Sequence, residues 1–208
     1  MTTQSATQHT ATQAVSSVAG PDPWRPAVLA AGPTAIASVA LIFAAAAADG
    51  GDPVKMASSG LGIGGNVSAL AALVFLGIGL TGLAVRVPTL RHGFGLFAWA
   101  VATIGTMLTA GGYWSAVFVQ PGLATMAPDA VRDGLPSLTA GFVVSYMVMG
   151  LGWILVAVAL LRVQLVRVSG WFVILGGLVC FSPLPFRYLA LAVAVSVAIG
   201  LRLRPIAG

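Results

Sequence analysis

Four long apolar runs, parted by short polar or charged segments, dominate the pattern of this chain. They cover Ala27 to Ala48, Leu61 to Val85, Phe94 to Val119 and Ser137 to Leu161. Each exceeds the ~20 residues a helix needs to cross a ~30 Å hydrocarbon core, so each is predicted to be a transmembrane helix. The first run ends in "AAAAADGG" (44–51), which resembles a signal-peptidase site. It is longer than the ~7–15 residues of a signal h-region, so it is expected to be kept as a span. The linkers "DGGDPVKMASSG", "RVPTLRHG" and "RVQLVRVSG" are short. The longer one, "QPGLATMAPDAVRDGLP", is predicted to hold one short helix around Pro128 to Gly134, with Pro128 in an allowed first-turn position.

A fifth apolar stretch, Trp171 to Leu201, is interrupted by "CFSPLPFRYLA" at 180–190. Ser182 is a good N-cap and Pro183 a good first helical residue. The stretch therefore reads as a hairpin: a short span over 169–181 and a last one over 183–203. The positive-inside rule supports this reading. With the N-terminus cytoplasmic, Arg25, Arg86, Arg91, Arg162, Arg167, Arg202 and Arg204 fall inside, against Lys55, Arg132 and Arg187 outside. A single kinked span would move Arg202 and Arg204 outside and erase the bias. The expected fold class is an all-α polytopic transmembrane bundle over 24–208, with six spans, the fifth short, and both termini cytoplasmic. Residues 1–23, rich in Thr, Gln, Ser and Ala, bury too little to offset their ordering entropy and read as a disordered tail.

Composition excludes the alternatives. The chain is 58 % hydrophobic and 7 % charged, against roughly 25 % charged in soluble domains, and its mean hydropathy is +0.99. Apolar runs of this length also exclude a barrel, whose strands alternate over about ten residues. A net charge of +5 and a pI near 10.4 would point a soluble protein toward nucleic acid. Here the basic residues are scattered between apolar runs, where they set topology and meet anionic headgroups. The expected surroundings are a bacterial inner membrane, with the lipid bilayer, other membrane proteins or further copies of the chain as partners, and no nucleic acid. Cys180 is the only cysteine, so neither an internal disulfide nor a cysteine metal cluster is available. His9 in the tail and His92 in a basic turn read as solvated. No metal or cofactor is expected.

Aromatic residues fall into two belts on this topology. Trp24, Phe94, Phe97 and Trp171 lie near the inner boundary, and Tyr113, Trp114, Phe118, Phe181, Phe186 and Tyr188 near the outer one. Glycine is abundant, 26 of 208, as expected where small residues let helices pack closely in lipid. "GLGIG" at 60–64 is a literal GxxxG at the end of a span.

No Asp, Glu, His or Lys lies inside a predicted span, and no nucleophile–base pair or metal-ligand motif is present. The chain is therefore expected not to be an enzyme. Its intramembrane polar residues concentrate in the outer half, and Thr103, Thr106, Thr109 and Tyr113 share about a third of one helix circumference. One reading makes Arg187, Tyr113, Thr109, Thr106, Tyr146 and Asn66 an outward-facing cleft for an anionic or amphipathic ligand. The other has the threonines bonding back to their own helix while Arg187 snorkels to the interface. The second is favoured, and with it a non-enzymatic accessory or assembly role. A small transporter or a lipid- or amphiphile-binding protein is the alternative.

The stretches "GFGLFAWAVATIGTMLTAGGYW" (93–114) and "LGWILVAVALLRVQLVRVSGWFVILGGLVCFSPLPFRYLALAVAVSVAIGL" (151–201) carry a resemblance. A Trp-containing span ending in arginine, a Gly-Trp start to a short span and a "PLP" turn into the last one resemble small multi-pass membrane proteins of high-GC actinobacteria. The resemblance implies a helical membrane bundle and brings no activity with it.

Overall fold

The apolar runs become helices, and the residues between them explain where each stops. In a computed structural model of the protein, which describes residues 24–162, 168–184 and 186–201, no strand occurs among the described residues. The predicted tail 1–23, with His9, and the basic residues Arg167, Arg202 and Arg204 lie outside the described residues.

Among the described residues, four helices are long and apolar enough to cross a membrane: α1 (Arg25–Ala48), α3 (Gly60–Arg86), α4 (Gly93–Phe118) and α7 (Pro136–Arg162). Short helices α2 (Pro53–Ser58), α5 (Gln120–Met126) and α6 (Pro128–Asp133) fill the linkers at one end. At the other end a 3-10 turn, Pro88–Arg91, joins α3 to α4. Two shorter apolar helices follow, α8 (Val168–Val179) and α9 (Arg187–Leu201). Sequence reading anticipated α6 but not α2 or α5. Both start on a proline in the first turn, and α2 is also capped by the Asp52 carboxylate, which accepts from Val54 N–H at 2.9 Å.

The six longer helices pack as a closed ring in chain order, α1–α3–α4–α7–α8–α9, with α9 returning to α1. The short helices α2, α5 and α6 pack on one another across one end. The ring is apolar on the outside and small inside. Ile36, Phe43, Val74, Ile104, Met107, Val144, Leu151 and Leu175 are exposed, while Ala31, Ala35, Ala69, Ala72, Ala98, Ala102, Ala157 and Ala192 are buried. An exposed apolar surface of this extent suits hydrocarbon rather than water, as an integral membrane protein requires.

Close approach depends on particular glycines. A Cβ on Gly105 would overlap the Met149 backbone of α7, and one on Gly152 would overlap the Ala102 backbone of α4, so these helices touch backbone to backbone. Between α1 and α3 the glycines instead make room for side chains: Gly65 lies under Ile42, Gly79 under Val28, and Gly82 under Trp24 just before α1. The literal GxxxG is not that contact. A Cβ at Gly60 would meet nothing, and one at Gly64 only ordinary van der Waals contact with Leu41.

Helix α1 contains Pro33, which cannot donate to the helical ladder. The Ser196 hydroxyl of α9 packs on the turn before it. It accepts from Gly32 N–H at 2.9 Å and donates to the Val28 carbonyl at 2.8 Å, bridging two groups one helical turn apart.

Candidate functional site

The chain's polar chemistry converges where α8 turns into α9. These two helices form a hairpin: a Cβ on Gly176 would meet Leu191, Ala190 and Ala194 of α9. The predicted start of the last helix differs from the observed one. Ser182 does not cap a helix, because its hydroxyl donates to the Val179 carbonyl at 2.7 Å and accepts from Leu184 N–H at 3.3 Å, closing a tight turn. Phe186 follows in a left-handed conformation, φ 57°, which ordinary side chains rarely adopt. Regular helix begins at Arg187.

The tip of this hairpin does not reach the end of the bundle. A Cβ on Gly150, near the middle of α7, would meet the Gly177 carbonyl, Cys180 and Phe181. The Arg187 guanidinium lies over the Tyr146 ring at 5.3 Å from its centroid. Tyr146 is ten residues past the start of α7, or about 15 Å at 1.5 Å per residue.

Around that tip meet all three tyrosines of the protein, its single cysteine and Arg187. Tyr113 of α4 and Tyr146 of α7 share a hydroxyl–hydroxyl bond of 2.9 Å, and the Tyr113 ring meets Tyr188 edge-on at 5.1 Å. The Tyr188 hydroxyl lies 2.7 Å from the Ser38 hydroxyl of α1, which donates to the Gly65 carbonyl of α3 at 2.6 Å. Ser38 has one hydrogen, already committed to Gly65, so Tyr188 is the donor of the pair. Hydroxyls thus tie α9 to α1 and α3, and α4 to α7, through a core in which Tyr188 is fully buried.

Arg187 donates from Nε to the Leu184 carbonyl at 3.0 Å and from Nη1 to the Cys180 carbonyl at 3.4 Å. It therefore braces the turn that precedes it. Among the described residues no carboxylate pairs with it; the ion pair described is Arg132–Asp129 at 3.0 Å, on α6. A guanidinium offers five N–H donors, so three remain beyond these bonds.

The other candidate residues are placed differently. Thr106 and Thr109, both buried on α4, donate to the Ala102 and Gly105 carbonyls at 2.7 and 2.9 Å, and half-buried Thr103 donates to Trp99 in the same way. Thr106 also accepts from the Trp153 indole N–H at 3.2 Å. Asn66, half-buried on α3, has no side-chain hydrogen bond among the described residues and is not joined to the cluster. Tyr188, expected in the outer aromatic belt, is instead a core residue. Its neighbour Phe186, half-buried, rests against exposed Phe43 at 5.7 Å, while Trp114 and Phe118 are exposed.

Sequence reasoning did not find Ser38, Ser196 or Trp153 as partners, nor Cys180 as part of the cluster. Period alone could have flagged one relation: Tyr188 and Ser196 are eight residues apart, which places them on one face of α9 toward α1. No protein family, curated protein or solved structure matches the chain.

Proposed function

We propose that this is a non-enzymatic membrane protein that binds the anionic group of an amphiphile at Arg187. The supporting observation is the position of that guanidinium, at the tip of a hairpin and over Tyr146, about 15 Å along α7 from its start, with no carboxylate partner among the described residues. An uncompensated arginine within the bilayer costs up to about 3 kcal/mol on insertion scales, and such residues are kept where they serve a function. The two carbonyls and the Tyr146 face offset part of that cost, and a bound anion would offset the rest.

The topology that goes with this reading has four full crossings and a shorter hairpin entering from the cytoplasmic side of a bacterial inner membrane. The 12 residues of α8 and 15 of α9 span about 18 and 22 Å, less than the ~30 Å of a hydrocarbon core. A partial hairpin leaves both termini cytoplasmic, as six full crossings would, and keeps Arg25, Arg86, Arg91 and Arg162 inside. The protein would belong with the small actinobacterial membrane proteins its sequence resembles.

A second reading, an accessory or assembly role, draws on the backbone-to-backbone contact of α4 with α7 and on hydroxyls used up within the bundle. Purification from native membranes separates the two. Anionic lipid or amphiphile retained by the wild type and lost in Arg187→Gln, by mass spectrometry, is the expected result. A stoichiometric protein partner, with nothing lost in Arg187→Gln, would overturn the binding reading in favour of the accessory one.

A further inference from the structure

We infer that a groove between α3 and α4 is a binding site for one anionic phospholipid, with Arg91 holding its phosphate. The groove lies where the Pro88–Arg91 turn joins the two helices, at the end of the bundle away from α2, α5 and α6. It has a volume of about 250 Å³, and its walls include Ala84 and Val85 of α3, Arg91 of the turn, and Leu96 and Trp99 of α4. Val85 and Leu96 are exposed, so the groove opens on the apolar outer surface of the ring. Arg187 is not among its residues and plays no part in it.

Arg91 supplies the charge. Its side chain folds back along α3, where Nε donates to the Ala84 carbonyl at 2.8 Å, two residues before that helix ends. This bond keeps the guanidinium at the groove wall. Four of its five N–H donors remain beyond that bond, and among the described residues no carboxylate pairs with it. The lining has no acidic residue. A guanidinium fork with donors to spare matches phosphate oxygens in pairs, and a cation with no neighbouring acid favours an anionic headgroup over a zwitterionic one.

Trp99 adds an observation of a different kind. Its indole N–H is buried and has no hydrogen-bond partner among the described residues, whereas buried donors nearly always find an acceptor. The groove that its ring lines is where an acceptor from outside the chain can enter. Trp99 stands six residues into α4, about 9 Å at 1.5 Å per residue, and so lies deeper in the bilayer than Arg91. A phospholipid carries acceptors at both levels, phosphate oxygens at the surface and ester oxygens toward the chains. Its hydrocarbon packs along Val85 and Leu96 by dispersion. Free phosphate could use Arg91 alone, while a lipid uses the whole groove.

The test places the full chain in phosphatidylcholine nanodiscs with a trace of phosphatidylglycerol that carries a diazirine near the head of one acyl chain. Photocrosslinks are mapped by peptide mass spectrometry, and a phosphatidylcholine probe of the same design runs beside it. The anionic probe is expected to mark residues 81–99 about fivefold more than the zwitterionic one, to be displaced by unlabelled phosphatidylglycerol, and to be unaffected by inorganic phosphate in the buffer. Arg91→Gln is expected to lower the marking about fivefold, and Arg91→Lys less, since it keeps the charge and loses the fork. Trp99→Phe, which keeps a ring and removes the N–H, is expected to lower it about twofold. Thr81→Trp fills the groove from an exposed position on α3; it should act as strongly as Arg91→Gln and serves if that variant fails to fold. Wild-type marking in both folded variants, or no marking of 81–99 in the wild type, would overturn the site. Equal marking by the two probes would overturn recognition of the anion, and displacement by inorganic phosphate would overturn the lipid as occupant. Unchanged marking in Trp99→Phe would overturn the part given to the indole.

Discussion

Replacing Gly152 by alanine tests whether α4 and α7 are held backbone to backbone. The new Cβ would overlap the Ala102 N and Cα atoms. Both obstructing atoms are backbone, so no side chain can swing aside and the helices must part. A gap of ~0.5–1 Å forfeits a quarter to a half of each dispersion contact across it. The Trp153–Thr106 hydrogen bond, already 3.2 Å, crosses the same interface. Overpacking of this kind costs ~1–3 kcal/mol, and the upper half of that range is expected here. Gly105→Ala should behave alike, because its Cβ would overlap the Met149 N and Cα atoms. The double variant should cost clearly less than the sum, since one separation accommodates both methyl groups. Steric-trap unfolding in bicelles measures each value, and Trp153 fluorescence reports the interface. A Gly152→Ala cost below ~0.5 kcal/mol, or full additivity of the pair, would refute the reasoning, since neighbouring sites that share a contact are expected to couple.

Two further outcomes follow from the α9 contacts. Ser196→Ala should cost about 1 kcal/mol in the same assay, because Gly32 N–H and the Val28 carbonyl lose their bridging hydroxyl. Ser68→Ala, whose hydroxyl only bonds back to Gly64, should cost much less, and equal costs would count against the bridging hydroxyl. Tyr188→Phe should cost roughly 0.6–1.7 kcal/mol, the range for hydrogen bonds between membrane helices. A cycle with Ser38→Ala should show coupling, and full additivity would mean that the 2.7 Å contact contributes no measurable stability.

The long helices were legible because length and hydropathy are local properties. Any apolar run of that size forms a helix in lipid, where backbone groups must be satisfied internally. Short helices α2 and α5 were hidden by lack of apolar length, although Pro53 after Asp52 and Pro121 after Gln120 are local start signals. Pairings such as Tyr188 with Ser38 are decided by which helices become neighbours in the ring, and nothing near Ser38 in the chain announces α9. Arg187 shows the same limit. Its neighbours Phe186 and Tyr188 suggested an interface, but the depth of the hairpin is set by where Gly150 lets α8 pack against α7. The candidate site was thus partly readable: Tyr113, Tyr146 and Arg187 do meet, while Thr106 and Thr109 serve their own helix and Asn66 stands apart.

The central claim is that the hairpin tip lies inside the bilayer, and the depth of a spin label at its exposed residue tests it most directly. Leu184 is exposed at the tip, Met107 is exposed midway along α4, and Arg132 is exposed on α6. Each is replaced by cysteine in a Cys180→Ala background, spin-labelled in liposomes, and measured for collision with oxygen and with a water-soluble nickel chelate. Leu184→Cys is expected to match Met107→Cys, with high oxygen and low nickel accessibility. Nickel accessibility equal to that of Arg132→Cys would put the tip in water and contradict that claim.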